Sequence, residues 1–286
     1  MSDITISYHY VDCNRKFEHY DANRSFFQEY YATRLAAEPG ISCHVLDIGC
    51  GHGTNPTISR IEHVLGEVDG VDPFPAVQPH PLIRKRWTCA MEEIPVPSNT
   101  YDLAYSYNVV EHVVDETSFL AKTIEVLKPG GVYWSMSPNA RHPFTVIVRI
   151  MQTLGIKYLY RRSIAPQANN YPAYYRLCNA TKVLKAIEKL DLPVSKIDFF
   201  LIPNVQWDTF FPRRLRFIAH LIDRVVVLNA PSMSNIFMFR MEKMDAGPRD
   251  GARYDTPAFD LSAIADPATT IKPRTPAPTH PGAPAA

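Results

Sequence analysis

The chain has 286 residues, enough for one large domain or two small ones, and 46% of them are hydrophobic, as a globular core requires. Its 30 Lys and Arg against 29 Asp and Glu leave a net charge of +1, so no global field points to nucleic acid or to an anionic membrane. The five cysteines (Cys13, Cys43, Cys50, Cys89 and Cys178) include no C-x-x-C pair, which excludes the common metal and redox motifs and fits free thiols in a reducing compartment. No basic-then-apolar segment opens the chain and no run of about 18 apolar residues exists, so neither a signal peptide nor a spanning helix is expected, and the expected location is cytoplasmic.

Residues 1–40 are polar and aromatic and are expected to form an N-terminal helical extension. Phe26, Phe27, Tyr30, Tyr31 and Leu35 share one helical face, suited to packing on a core or to walling a substrate pocket. His44–Asn55 then reads HVLDIGCGHGTN. Val45, Leu46 and Ile48 form an apolar run around Asp47, and Gly49, Gly51 and Gly53 alternate behind it. Pro56 follows, with Ile58, Ile61, Val64 and Leu65 at helical spacing. The order is buried strand, glycine loop and helix, with Thr54 or Asn55 as cap. Glycine lets backbone approach a ligand, and a helix N-terminus offers N–H groups and partial positive charge. Asp47, at the strand end, can meet a cationic group. The loop therefore suits a ligand with one acidic and one basic end.

Glu67–Asp72 reads as the second strand, running into Pro73 and Phe74. An acid about 20 residues past a glycine loop is the ribose-binding position of a doubly wound fold. Asp72 is thus a candidate for two ribose hydroxyls and Phe74 for packing on adenine; forming the turn before Pro73 is the competing role for Asp72. Trp87–Ala90 reads as the third strand and Tyr101–Ser106 as the fourth. Asp115–Leu127 is an amphipathic helix with Phe119, Leu120, Ile124 and Leu127 inward, stopped by Lys128-Pro129-Gly130-Gly131. Val132–Met136 is the fifth strand. The alternation predicts an α/β fold: a doubly wound, Rossmann-like, mostly parallel sheet with helices on both faces.

Asp47-Ile48-Gly49-Cys50-Gly51-His52-Gly53 resembles the first motif of class I S-adenosylmethionine (SAM)-dependent methyltransferases of the small-molecule, type 11-like branch. The resemblance covers about Val45 to Pro138. It implies that Asp47, Gly49, Cys50, Gly51 and Gly53 wrap the amino-acid end of SAM. Met91-Glu92-Glu93-Ile94-Pro95 is similar to the family's adenine-side segment. The family's usual acid falls on Ala90, so the Met91 backbone or the Glu92 side chain has to serve the adenine. Tyr107-Asn108-Val109-Val110-Glu111-His112 resembles the post-strand segment that ends in Glu-His, which implies Tyr107 and Asn108 beside the methionine moiety and His112 toward the acceptor. An antiparallel final strand closing the sheet is a further implication, carried by Lys196–Ile202 and Asn235–Met241.

Past Asn139, residues 140–178 carry many aromatic and basic residues and read as a lid or insertion over the acceptor. Tyr171, Tyr174, Tyr175 and Arg176 are its candidate acceptor-binding residues. Asn179 or Thr181 caps another helix, with Val183, Leu184, Ile187 and Leu190 inward. Pro212-Arg213-Arg214-Leu215-Arg216 precedes an apolar helix, read either as a core helix with a solvated basic end or as a weak peripheral membrane contact. The SAM-binding domain is expected over 41–244. From 245 to 286 prolines recur at 248, 257, 267, 273, 276, 278, 281 and 284, and the segment is expected to be a disordered tail.

Methyl transfer is an in-line displacement that needs alignment above all, and a hydroxyl acceptor also needs a base near its pKa. His112 and His142 are the candidate catalytic bases. The expected function is SAM-dependent methylation of a small-molecule, lipid or saccharide acceptor, at oxygen, with no metal. The rivals are a nucleotide-dependent oxidoreductase, which usually has G-x-G-x-x-G where the glycines here alternate, and a non-catalytic SAM-fold binding or scaffold protein.

Overall fold

Val45, Leu46, Asp47 and Ile48 are buried on both sides of β2 (His44–Ile48), so the strand reads as an unbroken apolar run with one acid inside it. The computed structural model describes residues 4–10, 26–38, 44–51, 56–63, 65–76, 78, 80–155, 172–203 and 213–245. In chain order the other elements are β1 (Thr5–Tyr10), α1 (Phe26–Ala36), α2 (Pro56–Ile61), β3 (Glu67–Val71), β4 (Ile83–Trp87) and β5 (Tyr101–Tyr107). Then come α3 (Glu116–Val126), β6 (Leu127–Pro138), α4 (Pro143–Thr153), α5 (Ala180–Leu190), β7 (Val194–Ile202), α6 (Arg216–Asn229) and β8 (Ile236–Lys243).

The strands form one sheet in the order β1-β7-β8-β6-β5-β2-β3-β4. β8 runs antiparallel between β6 and β7, and the other pairs are parallel. This is the doubly wound, mostly parallel sheet that the sequence predicts, with the order reversing between β2 and β5. Ligands in such sheets bind outside the carboxyl ends of the strands at that reversal.

The α1 face is a core face. Phe27, Tyr30, Tyr31 and Leu35 are buried, and the Tyr31 hydroxyl lies 2.9 Å from the Ser106 carbonyl of β5 and 3.1 Å from the Trp134 carbonyl of β6. Glu38, just past the helix, accepts from Trp134 Nε1 at 2.7 Å and from Arg240 at 2.6 and 3.1 Å, tying α1 to β6 and β8. On the other face α3 buries Phe119, Leu120 and Ile124, and the Asp115 side chain caps it by accepting from the Thr117 and Ser118 amides. The Asn179 side chain caps α5 in the same way, through the Lys182 amide.

Three expectations are corrected. The N-terminal region is not wholly helical, because Thr5–Tyr10 forms edge strand β1, parallel to β7. The third strand of the glycine-loop half lies at Ile83–Trp87, not Trp87–Ala90; it is an edge strand whose Arg84 and Lys85 face solvent, as edges require. The fifth strand starts at Leu127, the C-cap of α3, so Lys128-Pro129-Gly130-Gly131 lies within β6, in the irregularity between the Tyr101–Leu127 and Leu103–Val132 pairs. The cap residues Thr54 and Asn55, and the tail from 246 onward, lie outside the described residues.

Candidate functional site

The β2 chain turns at the switch point on two left-handed glycines, Gly49 at φ +75° and Gly51 at φ +60°. The Gly49 amide donates to the Val71 carbonyl at 2.7 Å, which fastens the loop to the end of β3. A Cβ on Gly49 would run into the Val109 side chain, so the loop also packs against the segment after β5. Among the described residues, a Cβ on Gly51 would meet nothing within 4 Å. Its backbone borders open space, as close approach of a ligand demands. His52 and Gly53 lie outside the described residues.

Asp72 sits one residue past β3. Its carboxylate accepts from the Gly51 amide at 2.9 Å and from the Phe74 amide at 2.9 Å, and Arg86 of β4 lies 3.9 Å away. The turn-forming and site-forming roles are therefore compatible. Two bonds leave acceptor capacity on a carboxylate with about four lone-pair sites. Arg86 donates to the Gly51 carbonyl at 3.2 Å and to the Phe74 carbonyl at 2.6 Å. This guanidinium joins the glycine loop to the Asp72–Phe74 turn, a role that the strand placement hid. Phe74 is 44% exposed beside them.

Asp47 is fully buried beneath the loop and is not open to a cationic group. Burial, then the Asp47 carboxylate, pushes the Tyr105 hydroxyl well above its ordinary pKa. Burial, followed by the same acid, pushes the Cys50 thiol up to about 12. Cys50 is thus an inert packing residue whose side chain is buried, and its backbone carries the loop. On the adenine side Met91 is buried and Glu92 is half-buried, with its pKa raised by burial. Tyr107 is half-buried, and its hydroxyl accepts from Gln28 Nε2 at 2.7 Å. Asn108 is exposed at φ +54°, a left-handed position that asparagine tolerates, and its amide donates to the Met136 carbonyl at 2.8 Å.

The two candidate bases part company. His112 is half-buried after β5, and its Nδ1 lies 2.8 Å from the Pro172 carbonyl. A carbonyl only accepts, so Nδ1 carries the proton in this contact. His142 is fully buried at the N-cap of α4. Its Nε2 is 2.8 Å from Asp223 of α6, and its Nδ1 accepts from the Phe144 amide at 3.2 Å and faces Asn235 Nδ2 at 3.3 Å. Both nitrogens are engaged, so His142 is corrected from a base to a pin between α4, α6 and the chain before β8.

The acceptor-side candidates divide as well. Tyr174 is 38% exposed, whereas Tyr175 is buried with a left-handed φ of +55°. Their amides donate to the Glu111 carbonyl at 2.6 and 3.0 Å. Tyr175 is thus a core residue, not a pocket wall. Arg176 is exposed and pairs with Glu116 at 3.0 Å, so the anion-holding role does not fit it. Tyr171 lies outside the described residues. Glu111, quoted only as part of a motif by the sequence, is fully enclosed, and burial pushes its carboxyl up to about 8. Its Oε2 has no hydrogen-bond partner among the described residues.

The left-handed glycine pair, the open space at Gly51 and the Asp72 carboxylate fit a ligand with an amino-acid end and a ribose. A family described as a methyltransferase domain matches residues 18–182. The chain is 32% identical over 101 residues to a probable S-adenosylmethionine-dependent methyltransferase of Mycolicibacterium smegmatis, over 33% of this chain and 38% of that protein. It is 37% identical over 105 residues to the mitochondrial ubiquinone biosynthesis O-methyltransferase of Homo sapiens, over 33% of this chain and 28% of that protein. The chain thus spans well under half the length of these relatives. A solved geranyl diphosphate C-methyltransferase of Streptomyces coelicolor A3(2) shares 14% identity at a TM-score of 0.49, over 77% of this chain and 76% of that one. The chain belongs to the class I S-adenosylmethionine-dependent methyltransferase family.

Proposed function

We propose that the protein transfers the methyl group of SAM to an oxygen of a small-molecule acceptor. The observation that carries this reading is the joined Gly49–Gly51 loop, Asp72 and Arg86 at the switch point. When bound there, SAM supplies an electrophilic methyl group on a sulfonium. The loop backbone holds its amino-acid end, Asp72 accepts from its ribose hydroxyls, and Phe74 covers its adenine. Arg86 holds the loop and turn in register, so that less ordering remains to be done when the ligand arrives.

His112 follows β5 at the same edge of the sheet. With its proton on Nδ1, it would take the acceptor hydroxyl's proton on Nε2, while bound SAM would supply the electrophilic methyl group and its sulfur would keep the electron pair. The likeness to an enzyme named as an O-methyltransferase supports oxygen as the acceptor atom. Family membership sets the oxidoreductase reading aside.

The test is transfer of labelled methyl from SAM to a panel of phenols, alcohols, amines and carbon nucleophiles. Label should appear in the oxygen acceptors, and His112→Ala should lower kcat about 10²–10⁴-fold with SAM affinity kept. Label confined to amines or carbon acceptors would overturn the choice of oxygen. Full activity in the His112 variant would remove it as base.

A further inference from the structure

Two helices outside the SAM site carry apolar faces that the fold does not cover. On α4, Val146, Ile147 and Ile150 are 40–53% exposed, and Leu154, just past its end, is 65% exposed. Val146, Ile150 and Leu154 edge an open hollow of about 290 Å³ that Arg149 also lines. On α6, Phe217, Leu221 and Val225 are 64%, 58% and 54% exposed at i, i+4 and i+8, one stripe along the helix. Its opposite face is the buried one, with Ala219 and Asp223. The core-helix reading of this segment accounts for that inner face and leaves the outer stripe unexplained.

Charge gives the stripes a partner. Residues 141–155 and 213–229 hold six arginines, Arg141, Arg149, Arg213, Arg214, Arg216 and Arg224, against one acid, Asp223. That acid is buried against His142 at 2.8 Å and shows no charge to solvent. Arg141, Arg149, Arg214 and Arg224 are exposed. A chain of net charge +1 has therefore gathered a local excess of cations where it leaves large apolar side chains uncovered. The buried His142–Asp223 pair fixes the two helices to each other. No helix among the described residues is long and apolar enough to cross a membrane.

We propose that the outer faces of α4 and α6 dock the protein on an anionic phospholipid surface, the apolar stripes entering the headgroup–acyl boundary and the arginines meeting lipid phosphates. The stripes supply burial, and the cations add an attraction that salt screens. The proposal is independent of which atom is methylated.

The experiment is flotation of the full chain with vesicles of phosphatidylcholine and with vesicles containing about 30% phosphatidylglycerol, an anionic lipid. Binding is expected to the anionic vesicles, and to fall as salt is raised. The double variant Phe217→Ser, Leu221→Ser should abolish it. The variant Arg141→Glu, Arg214→Glu should weaken it about tenfold or more. Both variants alter exposed side chains, and unchanged melting and SAM binding verify that they fold. Absence of flotation with anionic vesicles overturns the proposal, as does flotation that both variants retain. If the wild-type chain self-associates in sedimentation, ignores vesicles and becomes monomeric in the Phe217, Leu221 variant, the face joins two copies and the lipid proposal is wrong.

Discussion

Asp72 fixes the Gly51 and Phe74 amides with one carboxylate, and the proposed function gives it a second job, accepting from ribose hydroxyls. Asp72→Ala should weaken SAM binding by roughly 1–3 kcal/mol, the cost of losing charge-assisted hydrogen bonds and of loosening the loop. Titration calorimetry on the folded variant measures this, and unchanged affinity would remove Asp72 from the site. Glu111 makes a different prediction. Its carboxyl ionises near the ordinary glutamate value of 4.5 when unfolded and at about 8 in the fold, so the folded state binds the extra proton across that interval. The contribution of Glu111 to stability is therefore greatest below about 4.5 and declines as pH rises toward 8, the opposite of a salt-bridged acid. Glu111→Gln removes the titration and should stabilise the protein by about 1–3 kcal/mol at pH 8, with a smaller effect at pH 5. Melting curves at the two pH values read the difference. A gain equal at both would mean that Glu111 stays ionised.

At the scale of elements, local pattern decides what a sequence shows. The unit from β2 to β3 was legible because its strand is apolar, its loop glycines alternate and its acid lies at the expected spacing. α3 and α5 were legible from their inward apolar residues, and α5 also from its cap candidate Asn179. β1 was not, because it pairs with β7 nearly two hundred residues away and five of its six residues stay exposed, leaving little apolar signature. β4 was displaced because Arg84-Lys85-Arg86 reads as loop, although such charges are normal on an edge strand. That error concealed Arg86, the residue that ties loop to turn. His142 was misread for a related reason: its partner Asp223 lies 81 residues downstream, and no local pattern reveals the pairing. Tyr175 looked like a pocket aromatic, and only its left-handed backbone and burial show it to be core.

At the scale of the whole molecule, the question is where the folded domain stops. The last strand is anchored late. Lys243 donates to Asn99 Oδ1 at 2.9 Å and to the Glu125 and Leu127 carbonyls at 3.1 and 2.7 Å, which binds β8 to the turn before β5 and to the end of α3. The Met244 amide then donates to the Pro193 carbonyl at 2.8 Å. The Asp245 carboxylate lies where a Cβ on Gly130 would stand, 2.7 Å from it, so the chain is still packed at that residue. Beyond it the Pro-, Ala- and Thr-rich composition supplies little apolar surface to offset ordering entropy. Two truncations therefore have opposite expected outcomes. Removing residues 246–286 should leave the melting temperature and SAM affinity nearly unchanged, because every anchor just named is kept. Removing residues 243–286 should lower the melting temperature by roughly 8–16 °C, since it takes away three Lys243 bonds and the Met244 bond at about 1 kcal/mol each, and about 2–4 °C follows each kcal/mol at this size. A drop of several degrees on the shorter deletion would show that the tail docks on the domain and that the boundary lies beyond Asp245.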